Sequence, residues 1–187
     1  MSRKLIMVLG LMGAVLLWSS MGSAELLMAG MKASDWSFKD AEGNVFSMAS
    51  WAGKVLLVNY VDPDESDLND HFTDAMKKAK DQGLLKEETY KGIGIADCKA
   101  TWKPDALIRT IAGKKAKKFN TVILFDYDAT RRNAWGLEVD TANAILLDKN
   151  RIVRMIVRGK VPQSEVASIV QMAIDPVSYT HLTLPTN

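Results

Sequence analysis

One run of residues constrains this chain more than any other. Lys54-Val55-Leu56-Leu57-Val58-Asn59-Tyr60 is almost unbroken in apolar character. That is the mark of a strand covered on both faces, which occurs where helices lie on either side of a largely parallel sheet. The run leads into Val61-Asp62-Pro63-Asp64-Glu65-Ser66, where Pro63 and the surrounding acids end it. A helix follows, over roughly 66–82, with Leu68, Phe72, Ala75, Met76 and Ala79 on one face at helical spacing. Ser66 or Asp64 is suited to cap its start and Gly83 to end it.

The rest of the chain fits the same plan. Trp36–Lys39 and Val45–Met48 flank Asp40-Ala41-Glu42-Gly43-Asn44, a hairpin sequence. Ile93–Ala96 is a short strand ending at Asp97-Cys98. Pro104 and Asp105 open a second helix with Leu107, Ile108, Ile111 and Ala112 on its apolar side. Thr121–Phe125 is a further strand. Ala142–Leu147 and Ile152–Val157 flank the tight-turn sequence Asp148-Lys149-Asn150-Arg151 and form an antiparallel hairpin. Pro162 opens a last helix whose Val166, Ile169, Val170 and Ala173 face the core. Strands alternating with helices, finishing hairpin then helix, predict an α/β domain with a mixed central sheet, an N-terminal β-hairpin and flanking helices.

The two ends read differently. Arg3 and Lys4 precede the apolar stretch Leu5–Trp18 and the small-residue segment Ser19–Ala24, so residues 1–24 read as a signal peptide. The apolar stretch is short for a membrane span, and no cysteine lies at the cleavage point to carry a lipid. Residues 25–175 are then the mature domain. Residues 176–187 lose both charge and periodicity and read as a non-native or disordered tail. A bacterial protein with this leader is expected in the periplasm, without a stable membrane span after cleavage.

Charge and cysteine limit the chemistry. Removing Arg3 and Lys4 leaves the basic residues equal in number to the 22 acids. A neutral chain has no overall field to gather nucleic acid or an anionic membrane. Cys98 is the single cysteine, so no internal disulfide can form although an oxidising compartment would allow one. Burial is the favoured reading for Cys98, because a free thiol packs as a small apolar group.

Laid against G-K-x-x-L-V-N-F-x-x-x-x-C-x-x-C, the stretch from Gly53 places Glu65 and Leu68 at the two sulfur positions. The strand–turn–helix frame resembles the thioredoxin superfamily, of the redoxin type with an extra N-terminal hairpin. Gly53-Lys54-Val55, Thr101-Trp102-Lys103-Pro104, Arg132–Leu137, Ala144–Lys149 and Gly159, in that order, resemble the YtfJ family of periplasmic proteins over about 36–174. The resemblance implies a thioredoxin-like fold and imports no reaction, since that family has no established activity. The cis-proline position of the fold corresponds to Asn143. With sulfurs and proline both replaced, the expectation is a redox-inactive binding or accessory protein. Its docking face would be built from Asp62, Asp64, Glu65, Asp67 and Asn143, with a periplasmic protein or ligand as partner and no cofactor. The alternative is a single-cysteine thiol redox protein acting through Cys98.

Other constellations are weaker. Asp62, Asp64, Glu65, Asp67 and Asp70 are dense enough to suggest a hard cation, but they lack the Gly and Glu spacing of an EF-hand loop. Acids at a helix start explain them better, through the helix dipole. Lys114, Lys115, Lys117 and Lys118, and the smaller pair Arg131 and Arg132, could meet phosphate or an acidic partner; a solvated helix end accounts for the lysines equally well. His71 stands outside any Ser-His-Asp arrangement and reads as a solvated helix residue. Trp102 and Trp135 lie in loop-like stretches and read as closing the core rather than anchoring a partner.

Overall fold

The computed structural model describes residues 26–175. The readings of 1–24 as a leader and of 176–187 as a foreign tail lie outside the described residues.

The apolar run forms the central strand. In chain order the elements are β1 (Ser37–Lys39), β2 (Val45–Ser47), β3 (Val55–Val61), α1 (Asp70–Asp81), β4 (Tyr90–Asp97), α2 (Asp105–Phe119), β5 (Val122–Asp126), α3 (Thr130–Trp135), β6 (Ala142–Leu147), β7 (Val153–Arg158) and α4 (Val166–Ile174). The strands make one mixed sheet in the order β2-β1-β5-β4-β3-β6-β7. Strands β3, β4 and β5 run parallel, and the rest pair antiparallel. This is the mixed sheet with an N-terminal hairpin that the sequence predicts.

Alternation along β3 sends residues to two separate cores. Leu56, Val58 and Tyr60 join Trp36, Trp51, Ile93, Ile95, Trp135 and Ile145 on one face. That face is covered by the N-terminal segment through Leu27 and Ala33 and by α3 through Trp135. Val55 and Leu57 join Phe72, Met76, Leu146, Val166 and Ile169 on the other, beneath α1 and α4. A third cluster, Ala96, Ile108, Ala112 and Phe125, fixes α2 over β4 and β5. Each fully buried Leu, Ile or Phe of this kind stabilises the fold by ~1.5–3 kcal/mol before entropy is counted.

The first helix begins at Asp70, four residues later than its periodicity suggests. Pro63–Glu65 forms a short 3-10 turn, with Asp62 as its cap, and Ser66 closes that turn instead of opening α1. Asn69 is the N-cap residue of α1, but its side chain is committed elsewhere. Its Oδ1 accepts from the Val161 N–H at 2.8 Å and its Nδ2 donates to the Gly159 carbonyl at 3.0 Å. His71 Nε2 lies 2.8 Å from the Val161 carbonyl, so His71 is half-buried and engaged rather than solvated. These contacts pin the start of α1 to the segment after β7.

Candidate functional site

Each parallel strand ends on an aspartate. Asp62 follows β3, Asp97 ends β4 and Asp126 ends β5, and Asp97 and Asp126 are register partners. Their relative exposures are 4%, 2% and 1%, so each needs a partner or must hold its proton. The carboxyl ends of parallel strands are where open α/β sheets place ligands.

The three acids are satisfied to different degrees. Asp126 accepts four hydrogen bonds: from the Thr130 N–H and hydroxyl at 2.9 and 3.0 Å, the Arg131 N–H at 2.8 Å and the buried Tyr60 hydroxyl at 3.0 Å. It thereby caps α3 from the end of β5. Burial and the adjoining carboxylates push the Tyr60 phenol far above its usual range, so it stays a donor. Asp97 accepts from Arg132 Nη1 at 2.6 Å and from the Lys99 N–H at 3.2 Å. Burial raises its carboxyl nevertheless, against the pull of Arg132. Asp62 accepts from the Asp64 N–H at 2.8 Å and forms no ion pair among the described residues. Burial first, then the charges of Asp140, Asp97 and Glu65, push its carboxyl up to about 6, with Lys103 offsetting only part. An acid poised near neutrality can hold or release a proton at the pH of its surroundings.

Positions 65 and 68 carry no sulfur. Glu65 closes the 3-10 turn and Leu68 precedes α1. Cys98, just beyond β4, is half-buried, with Sγ 3.7 Å from the Ala96 carbonyl. Burial, then the charges of Asp105, Asp97 and Asp126, push its thiol up to about 12. Nucleophilic sulfur chemistry requires the thiolate, the form that this burial disfavours.

The acidic turn and the lysine cluster, separate features in the sequence, are partners in space. Asp64 pairs with Lys103. Lys115 reaches both Asp67 and Asp70 at 2.5 Å, and Lys118 takes the other oxygen of Asp70 at 2.7 Å. Burial would raise the Asp70 carboxyl, but the two lysines outweigh it and hold it below the usual carboxylate range. Among the described residues no group of three or more His, Cys, Asp or Glu side chains is arranged to hold a metal ion.

Several residues stand where the sequence does not place them. Asn143 is 1% exposed and lies on β6 opposite Tyr60. Its side chain accepts from the Glu138 N–H at 3.1 Å and donates to the Glu138 carbonyl at 2.9 Å, so it offers no atom to a docking face. Arg131 is buried, its guanidinium donating to the Ser34 hydroxyl at 2.8 Å and the Asp35 carbonyl at 2.9 Å. With Arg132 on Asp97, the expected basic pair is internal. Trp135 is buried as expected, but at the end of a helix rather than in a loop. Trp102 is 87% exposed and closes no core; Leu107, assigned to the apolar side of α2, is 44% exposed. The pairing of Lys103 with Asp64 ties the Trp102 loop to the acidic turn.

The buried acid cluster escaped the sequence reading, although a signal for it exists. Val61-Asp62, Ala96-Asp97 and Phe125-Asp126 each set an aspartate directly after an apolar strand. That Tyr60 and Arg132 are their partners carries no signal, because both contacts bridge distant parts of the chain.

Comparison with known proteins supplies the fold and little more. The structure is similar to a hypothetical protein of Sinorhizobium meliloti 1021, with TM-score 0.62 and 19% identity, covering 87% of this chain and 93% of that one. It is also similar to the thioredoxin domain of a thiol-disulfide oxidoreductase from Bacteroides vulgatus, with TM-score 0.59, 14% identity and coverage of 80% and 99%. A third similar structure is the exposed lipoprotein thioredoxin of Streptococcus pneumoniae, with TM-score 0.56, 10% identity and coverage of 74% and 98%. The fold is thioredoxin-like. A comparison with curated proteins finds no match. Residues 24–175 match one family model, and the chain belongs to that family, YtfJ_HI0045, described as bacterial proteins of unknown function.

Proposed function

We propose that this protein is an exported, redox-inactive accessory protein that docks a periplasmic partner at the carboxyl ends of its parallel strands. The observation that carries this reading is Trp102, 87% exposed on the loop between β4 and α2. A tryptophan offers a large apolar area at low entropic cost, and such residues dominate the energetics of protein interfaces. Trp102 stands beside Lys103, whose link to Asp64 holds the loop against the acidic turn. The docking face therefore comprises Trp102 with Asp64, Glu65 and Asp67, while Asp62 and Asn143 lie buried behind the surface. Among the described residues no helix is long and apolar enough to cross a membrane.

Redox inactivity is supported by Glu65 and Leu68 at the sulfur positions and by the suppressed Cys98 thiol. A photoreactive group at Asp64 in intact cells is expected to capture one partner, and Trp102→Ala to reduce that capture at least about tenfold. Unchanged capture by Trp102→Ala removes the docking face as drawn. In parallel, Cys98 of the native protein is expected to alkylate far more slowly at pH 8 than a free thiol. Rapid alkylation restores the single-cysteine reading.

A further inference from the structure

Between α1 and α2 lies a groove of about 150 Å³, open along one side, whose floor is the parallel part of the sheet. The floor is low because β4 carries Gly92 and Gly94 there. A Cβ on Gly94 would lie 3.1 Å from the Ile123 side chain, so the floor has no room for one unless Ile123 shifts. Met76, Ile111 and Phe119 make the walls apolar. A closed apolar cavity of similar volume accommodates benzene. This one is open at the side, so a longer chain can extend from it.

Two polar features break the apolar lining. Asn59, half-buried on β3 beside Gly94, lines the floor, and its carboxamide hydrogen-bonds to no other described residue. The amide is open to water in the groove, so it can pair with a bound molecule without giving up a protein contact. At the rim, Lys77 is tied to Asp81, and Lys115 to Asp67 and Asp70. Lys80 and Lys91 also line the groove and form no ion pair among the described residues. Burial, then the charge of Lys80, hold the Lys91 ammonium below its usual range, with Glu87 working the other way. At this end Lys80 and Lys91 share the lining with one carboxylate, Glu87.

We propose that the groove binds an anionic amphiphile, with its apolar chain over Gly92 and Gly94 and its anionic head at Lys80 and Lys91. The proposal does not rest on the docking reading. Decanoate, held below its micelle threshold, and decanol are the probes, titrated calorimetrically into the protein. Decanoate is expected to bind, and the double variant Lys80→Gln/Lys91→Gln to weaken it by about tenfold while leaving decanol unchanged. Gly94→Leu, which fills the floor, is expected to abolish both. Should that variant fail to fold, the Asn59 side-chain amide resonances of the wild-type protein serve instead and are expected to shift on adding decanoate. No binding by the wild type, equal affinity for decanoate in the lysine double variant, or Asn59 resonances that stay fixed would each overturn the proposal.

Discussion

At the scale of single residues, Asp62 carries the least compensated charge in the strand-end cluster. Asp126 has four donors and Asp97 has a guanidinium, whereas Asp62 has one backbone N–H and three like charges around it. Its carboxyl rises from 3.8 to about 6 on folding, so the folded chain binds the proton more tightly than the unfolded one. The contribution to stability is therefore greatest below about pH 4 and is lost as pH rises through 6. Asp62→Asn keeps an acceptor for the Asp64 N–H and removes the charge. It is expected to stabilise the protein at pH 7.5 by about 2 kcal/mol and to flatten the pH dependence between 4 and 6, read by urea unfolding across pH. A charge retained at such a cost fits a residue kept for what it does rather than for the fold. Arg151 shows the opposite balance. Its φ of +67° would suit glycine, yet its guanidinium donates to the carbonyls of Lys54, Met48 and Trp51. Arg151→Gly is expected to destabilise by about 2–3 kcal/mol in the same measurement, because orphaned carbonyls outweigh relieved backbone strain.

At the scale of elements, α3 depends on one side chain. It has six residues, too few to be stable alone, and its N-terminal amides are taken by Asp126. Asp126→Ala would free those amides and leave the buried Tyr60 hydroxyl without its acceptor. The expected cost is about 3 kcal/mol. Combined with Tyr60→Phe, which removes the orphaned hydroxyl, the loss is expected to be smaller than the sum of the two single losses; additivity would show that the contact does not couple them. Elements with strong periodicity were legible in advance, as β3, the body of α1 and the β6–β7 hairpin show. Helix α3 was not, because Thr130–Trp135 is too short to show a period and hides two arginines inside. The true start of α1 was equally hidden, since Asn69 and His71 bond to a segment ninety residues away.

At the scale of the whole molecule, α1 and α2 are joined by the Asp67, Asp70, Lys115 and Lys118 network. Much of it is solvent-accessible, so its contribution is small and screened by salt. Lys115→Ala is expected to cost no more than about 1 kcal/mol at low salt, and the difference from wild type to shrink in 1 M sodium chloride. A salt-independent loss would mean that Lys115 acts through packing.

The sequence by itself determined the layered plan. An apolar strand between amphipathic helices has few ways to bury its two faces, and residue order along the chain records that pattern directly. Only the tertiary structure decided which charges are inside, because burial of an aspartate or arginine depends on partners that folding brings from far along the chain. It also decided that Asn143 is sealed in and Trp102 left out, since a side chain's access to water is a property of the packed assembly and not of its neighbours in sequence.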